Sequence, residues 1–184
     1  MPILSQEPSV FPNNLFSGSV TADSNRCWWA VYTKPRQEKS LARQLVQLEV
    51  PFFLPLIAKT NLIKGRKVKS FLPLFSSYLF MYGTEQERAS AFGTDRILQT
   101  LQVPDQDKMT VDLQNVHRAI ENGEALSVEA RLQPGQRVRV KTGALMGVEG
   151  EVLSRRGEDR LVIAVRFLQQ GVSIVINDFL VEPI

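Results

Sequence analysis

The chain has 184 residues, 43% of them hydrophobic and 22% charged, with a formal net charge of +3, which suits one large domain or two small ones with a real core. No apolar run approaches the ~20 residues of a membrane span, and the N-terminal stretch lacks the basic start and apolar run of a signal peptide. The single cysteine, Cys27, leaves no internal disulfide and fits a reducing cytosol.

Residues 1–25 mix proline, asparagine and serine without periodicity and read as a disordered extension. Order is expected to begin at Trp28-Trp29-Ala30-Val31-Tyr32-Thr33, an aromatic and β-branched strand. Lys34-Pro35 ends it, because proline cannot donate to a sheet ladder. A helix is predicted over 37–49, with Leu41, Leu45 and Leu48 at helical spacing and Arg36, Lys39 and Arg43 on the opposite face. Phe52-Phe53-Leu54 reads as a second strand. Leu62–Val68 reads as a hairpin turning at Gly65. From Leu74 to Tyr82, alternation puts Leu74, Ser76, Tyr78, Phe80 and Tyr82 on one face and Phe75, Ser77, Leu79 and Met81 on the other. Thr84 can cap a short helix with Glu85 and Glu87 in its first turn. A strand over 97–103 and a helix over 111–122, ended by Gly123, complete the front part. The order of elements suggests an α/β sandwich with a mostly antiparallel sheet.

After Ala130 the segments become short and β-rich: Arg137–Lys141, Val148–Leu153, Arg160–Phe167, Val172–Asn177 and Val181-Glu182. Five short strands in about fifty residues read as a small closed barrel. The expected division is a disordered extension over 1–25, a front domain over 26–123, a linker over 124–132 and a barrel over 133–184. The fold class is therefore α+β.

Charge is distributed unevenly. From Arg26 to Gly83 there are ten Lys/Arg against two acids, whereas from Thr84 to Ala130 four bases face nine acids. The front third is cationic enough to meet a polyanion or an acidic protein surface, or it is simply a solvated basic face.

Two stretches together resemble the NusG family of transcription factors. The first is Trp28-Trp29-Ala30-Val31-Tyr32-Thr33-Lys34-Pro35-Arg36-Gln37-Glu38-Lys39, followed by Pro73-Leu74-Phe75-Ser76-Ser77-Tyr78-Leu79-Phe80. These look like the first strand and the PLFPxYxF strand of the family's N-terminal (NGN) domain. This chain has Phe75-Ser76 where the family usually has Phe-Pro. The second stretch runs from Pro134-Gly135-Gln136-Arg137-Val138-Arg139-Val140 through Thr142-Gly143-Ala144-Leu145-Met146-Gly147-Val148-Glu149-Gly150-Glu151-Val152, and is similar to the KOW motif. The physical reading stands beside it. Gly143 and Gly147 permit a tight turn, and Gly150 suits a strand where another chain crosses closely. The hairpin Ile63-Lys64-Gly65-Arg66-Lys67 and the short linker resemble specialised RfaH-like paralogues more than housekeeping members.

The resemblance implies an NGN-type sandwich followed by an SH3-like five-stranded KOW barrel. It also implies that the surface around Tyr32, Phe75, Tyr78 and Phe80 receives the clamp helices of the largest RNA polymerase subunit. Thr84–Phe92 would lie near the other large subunit. Lys34, Arg36, Lys39, Arg43, Lys64, Arg66, Lys67 and Lys69 would face upstream or non-template DNA. Read from the residues alone, the aromatic face could equally be core.

Leu145 and Met146 are apolar residues at the tip of the Gly143–Gly147 turn, where loops are normally polar. They suit either a partner surface, for Rho or a small-subunit ribosomal protein, or closure of the barrel's end. Neither a catalytic site, a cofactor nor a metal is expected. His117, the single histidine, sits beside Val116, Ala119 and Ile120 and reads as a boundary residue rather than a general base. Cys27 has no second thiol for a zinc site, and no GxxxxGK[ST] loop is present. The expected protein is a monomeric, cytoplasmic, non-enzymatic elongation or antitermination factor. The alternative is an RNA-binding or ribosome-associated KOW protein that never touches polymerase.

Overall fold

A computed structural model of the chain describes residues 7–17, 25–63, 65–123, 126–129, 135–155, 158–175 and 181–184. Lys64, most of the expected linker, Pro134, Gly157 and Asn177 lie outside the described residues. The chain divides into two units, Met1–Gln106 and Asp107–Ile184. In the front unit the elements in order are β1 (Val10–Phe11), β2 (Cys27–Thr33), α1 (Glu38–Gln47), β3 (Phe52–Phe53), β4 (Leu56–Ile63), β5 (Arg66–Pro73), β6 (Tyr78–Gly83), α2 (Glu85–Phe92) and β7 (Ile97–Gln102).

Five of these strands form one sheet in the order β1-β3-β6-β2-β7. Its centre is the β2–β6 pair, which sets Trp28 opposite Tyr82, Ala30 opposite Phe80 and Tyr32 opposite Tyr78. Because a strand alternates its side chains, this register sorts the sheet into two faces. Trp29, Val31, Leu79 and Met81 form one core cluster with Leu41, Ala42 and Leu45 of α1 and Ala91 of α2. On the other face Trp28, Phe53 and Phe80 are fully buried. Strand β6, apolar on both faces, is covered on both along its buried length.

Part of that second cover comes from the segment expected to be disordered. Val10 and Phe11 pair with Phe53 and Phe52. Leu15 is fully buried, and Phe16 stacks on Trp28 at 6.1 Å and meets Phe53 edge-on at 5.2 Å. The expectation of disorder is therefore wrong for residues 7–17. Local composition favoured disorder, but three long-range aromatic contacts outweigh it.

Helix α2 starts on a capping box. The Thr84 hydroxyl accepts from the Glu87 N–H, and the Glu87 carboxylate accepts from the Thr84 N–H. The strand expected from Leu74 begins only at Tyr78. Ser77 has φ of +63°, so residues 74–77 form a turn and the alternation breaks there. Phe75 consequently lies beside Phe80, with ring centroids 6.0 Å apart, instead of on the opposite face. The hairpin β4–β5 is longer than expected. It pairs Leu56 with Pro73 at its base and Ile63 with Arg66 at its tip, with Gly65 at φ +76° in the turn.

Helix α3 (Gln106–Glu121), which belongs to the second unit from Asp107 on, is followed by β8 (Ser127–Glu129), β9 (Gln136–Val140), β10 (Glu149–Arg155), β11 (Glu158–Val165), a 3-10 turn at Arg166–Leu168, β12 (Gln170–Val175) and β13 (Val181–Pro183). The strands form one antiparallel sheet in the order β13-β9-β10-β11-β12-β8. Six strands stand where five were expected. The extra one, β8, falls inside the expected linker and pairs with β12. Helix α3 begins five residues earlier than expected, and the unit boundary falls after its first residue, Gln106. The buried Asp112 carboxylate ties it to the second unit, accepting the Arg166 backbone N–H at 2.9 Å and its guanidinium at 2.5 Å. Gly150 is required where it stands, because a Cβ there would collide with the Val162 carbonyl of the neighbouring strand. Every recorded strand pairing among the described residues is antiparallel, and the protein is α+β.

Candidate functional site

Tyr32 and Tyr78 are cross-strand partners at the end of the central pair, with ring centroids 5.2 Å apart. Tyr32 is 38% exposed and Tyr78 is half-buried. Both therefore offer ring surface to solvent at a place where the sheet is otherwise covered. Phe75 and Phe80 do not. They are 1% and 0% exposed and pack against each other, with Phe80 on the same face of β6 as Tyr78. Of the four aromatics expected to form one contact surface, two are core.

The tyrosine pair is held from three sides. The Ser77 N–H donates to the Glu38 carboxylate at 2.8 Å, the Thr33 N–H donates to the Ser77 carbonyl at 2.8 Å, and the Lys34 N–H donates to the Arg96 carbonyl at 2.9 Å. Glu38 sits at the start of α1 and is 6% exposed. A buried carboxylate is costly unless bonded, so its engagement by Ser77 fixes the loop that leads into Tyr78. A register shift falls between Tyr32 and Thr33, which re-aims the end of β2, as bulges do near functional surfaces. The Thr33 hydroxyl is buried there without a partner among the described residues.

The basic residues separate into two sets. Lys34 pairs with Asp95 at 2.7 Å, and Arg43 with Glu7 at 2.5 Å. The hydrogen bond from Lys34 holds the Asp95 carboxyl below its ordinary range. Arg36 does not share a helix face with Lys39 and Arg43. It precedes α1, with φ of +62°, whereas Lys39 and Arg43 are four residues apart within the helix. Arg66, Lys67 and Lys69 are exposed on β5, and Lys69 lies 5.4 Å from the Phe71 ring.

In the second unit the turn carrying the other expected site splits its two residues. Leu145 is fully buried and Met146 is 65% exposed. Gly143 and Gly147 both have φ of +86°, and that left-handed backbone turns Leu145 inward and leaves Met146 at the tip. His117 is half-buried on α3, 3.6 Å from Glu121. Burial pushes its imidazole pKa down, with Glu121 opposing. Among the described residues no three His, Cys, Asp or Glu side chains are grouped to hold a metal, and no helix is long and apolar enough to cross a membrane.

A family model, described as the transcription termination factor NusG, matches residues 26–129. The chain belongs to the NusG family. No curated protein compared with the chain matches it. The NusG match covers both tyrosines, Glu38 and the β4–β5 hairpin, and it ends before the strands β9 to β13. NusG proteins are transcription factors.

Sequence reasoning did not single out Glu38, although it lies within the Trp28–Lys39 stretch that carries the NusG resemblance. It also passed over the Arg26–Glu87 pair at 2.6 Å, which joins the start of β2 to α2. The signal for that pair was present, because Glu87 had already been placed in the first turn of the helix.

Proposed function

We propose that this NusG-family chain is a transcription elongation or antitermination factor that binds RNA polymerase through its front unit and recruits a second partner through its C-terminal β unit. The observation that carries the reading is the solvent-facing Tyr32–Tyr78 pair, next to the buried Phe75 and Phe80 and fixed through Glu38. Exposed aromatics next to a buried apolar pair suit the anchoring of a helical hairpin. The clamp helices of the largest polymerase subunit are the proposed occupant. Helix α2, with Phe92 43% exposed, would face the other large subunit. Bridging the two would favour the closed, elongating polymerase over the paused one by population shift. The basic residues Lys34, Arg36, Lys39, Arg43, Lys64, Arg66, Lys67 and Lys69 would face upstream or non-template DNA. The C-terminal strands would act as a KOW barrel that offers Met146 to Rho or to a small-subunit ribosomal protein. The hairpin would suit a specialised, RfaH-like role, exercised in the cytoplasm.

The test is the double variant Tyr32→Ala with Tyr78→Ala in the full chain, measured against the isolated clamp helices. Each truncated anchor should cost about 2 kcal/mol of binding, with circular dichroism unchanged because neither ring is fully buried. Binding equal to the unmodified chain would remove the tyrosines from the interface. Co-purification with ribosomal subunits, and no polymerase, would favour the ribosome-associated alternative.

A further inference from the structure

The β4–β5 hairpin is tied down only at its base. Leu56 is buried and Phe71 packs against the core. From Ala58 to Leu62 and from Gly65 to Lys69 every described side chain is exposed. Among the described residues the two strands pair only with each other, so the ribbon presents two faces and two open edges. Eight register pairs, at ~3.4 Å of rise each, make it roughly 27 Å long.

Register separates its side chains. Leu56, Ala58, Thr60 and Leu62 share a face with Phe71, Lys69 and Lys67. This face turns toward the core at its base. Lys59 and Asn61 share the other face with Ser70, Val68 and Arg66, and this face points away from the core.

Unpaired cations are concentrated on the ribbon, although Arg36 and Lys39 also stand outside any ion pair among the described residues. Arg26, Lys34, Arg43 and Arg88 each have a carboxylate partner. Lys59, Arg66, Lys67 and Lys69 have none among the described residues, and the sequence from Leu56 to Pro73 contains no Asp or Glu. Lysines on an open edge can serve simply to block sheet-to-sheet pairing. That role does not call for Leu62 at 72%, Val68 at 42% and Leu72 at 41% exposure on the same ribbon.

We propose that the hairpin enters the major groove of duplex DNA, with Lys59, Asn61, Arg66 and Val68 meeting base edges and Lys67 and Lys69 reaching the phosphates. This inference rests on the reading that the hairpin cations face nucleic acid, and it names the form of that nucleic acid and the residues that read it. The major groove of B-form DNA, about 12 Å wide, admits a two-stranded β-ribbon. The deep, narrow major groove of A-form RNA does not. The outer face also carries the side-chain chemistry that distinguishes bases. An asparagine amide matches adenine, a guanidinium or ammonium matches guanine, and valine methyls meet the thymine methyl group. Phosphate tracking alone would need only the lysines.

The experiment is fluorescence anisotropy of the full chain against a short DNA duplex, its single strand and an RNA duplex of the same sequence, over a range of salt. Selection from a random-sequence duplex pool accompanies it. The DNA duplex should bind most tightly. Lys67→Ala with Lys69→Ala should weaken all duplexes alike and reduce the salt slope by about two units. Asn61→Ala and Arg66→Ala should each flatten the selected sequence at one base pair, a change of roughly 10-fold in preference. These positions are exposed, and unchanged circular dichroism should confirm that each variant folds. Absence of binding to any nucleic acid would overturn this inference together with the nucleic-acid reading beneath it. Binding that ignores the hairpin substitutions, or that favours the single strand or the RNA duplex, would overturn this inference alone.

Discussion

Replacing Glu38 with alanine removes the acceptor for the Ser77 N–H, a bond of 2.8 Å made by a side chain only 6% exposed. A hydrogen bond to a charged group contributes about 1.5–3 kcal/mol, and an N–H left buried without a partner costs a similar amount. The front unit should therefore lose about 2 kcal/mol and melt on the order of 10 °C lower. Glu38→Gln keeps an acceptor oxygen in the same place and should retain most of the stability. Ser77→Gly supplies an independent check. It keeps the N–H but relieves a non-glycine residue at φ +63°, so it should stabilise by up to about 1 kcal/mol. Urea melts followed by tyrosine and tryptophan fluorescence measure all three variants, and affinity for the clamp helices shows whether Tyr78 has moved. A Glu38→Ala variant within about 0.5 kcal/mol of the unmodified chain would refute the claim that this carboxylate positions the loop. Equal losses for alanine and glutamine would show that charge, rather than an acceptor, is what matters.

Phe80→Ala removes a fully buried ring that touches Phe75, and should cost about 3–5 kcal/mol. It should unfold the front unit rather than merely weaken binding, and a folded, non-binding variant would return Phe80 to the interface. In the second unit Leu145→Ala should destabilise by about 2–5 kcal/mol, whereas Met146→Ser should leave the urea midpoint unchanged, both followed by far-UV circular dichroism. Equal effects from the two would contradict their opposite exposures. Burial lowers the His117 pKa below 6.5 in the folded chain, so the unfolded chain takes up that proton first as the pH falls. The contribution of His117 is fully present above the unfolded pKa and is lost as the pH drops from there toward the folded value. His117→Gln should flatten the pH dependence of the midpoint between about pH 7.5 and 5.5, and an unchanged slope would assign that dependence to other groups.

The central strands were legible because period-two alternation is a local property. Trp28, Ala30 and Tyr32 fall on one parity, and so do Tyr78, Phe80 and Tyr82, and pairing β2 with β6 brings the two sets onto one face. The N-cap at Thr84 was legible for the same reason, since it and Glu87 lie within four residues; the reciprocal bond from the Thr84 N–H to the Glu87 carboxylate came from the structure. Phe75 was misplaced because Ser77 adopts a left-handed conformation without being glycine, and no residue type announces that turn. Strand β1 escaped notice because a two-residue pairing is decided by its partner, Phe52-Phe53, some forty positions away. The early start of α3 has a similar cause. The Gln106 side chain accepts the Trp28 N–H at 2.5 Å and donates to the Val103 carbonyl at 2.7 Å, a tertiary anchor that helical periodicity cannot reveal. The candidate site was legible as a cluster of residue types, but burial is a property of the whole fold, so the sequence could not separate Tyr32 and Tyr78 from Phe75 and Phe80.

The placement of the aromatic chromophores has a practical consequence. Both tryptophans and all three tyrosines lie in the front unit, so intrinsic emission reports on that unit and is blind to the C-terminal strands. The two indoles also sit in different surroundings. Trp28 stacks on Phe16 and meets Tyr82 at a tilt, while Trp29 donates its ring N–H to the Gly83 carbonyl at 3.1 Å and lies 5.2 Å from the Arg88 guanidinium. If the N-terminal segment peels away, water reaches the Trp28 ring and its emission shifts to the red, while Trp29 stays shielded on the opposite face of the sheet. The adjacent pair is thus a built-in optical gauge, in which one indole registers detachment of the N-terminal segment and the other serves as its internal reference.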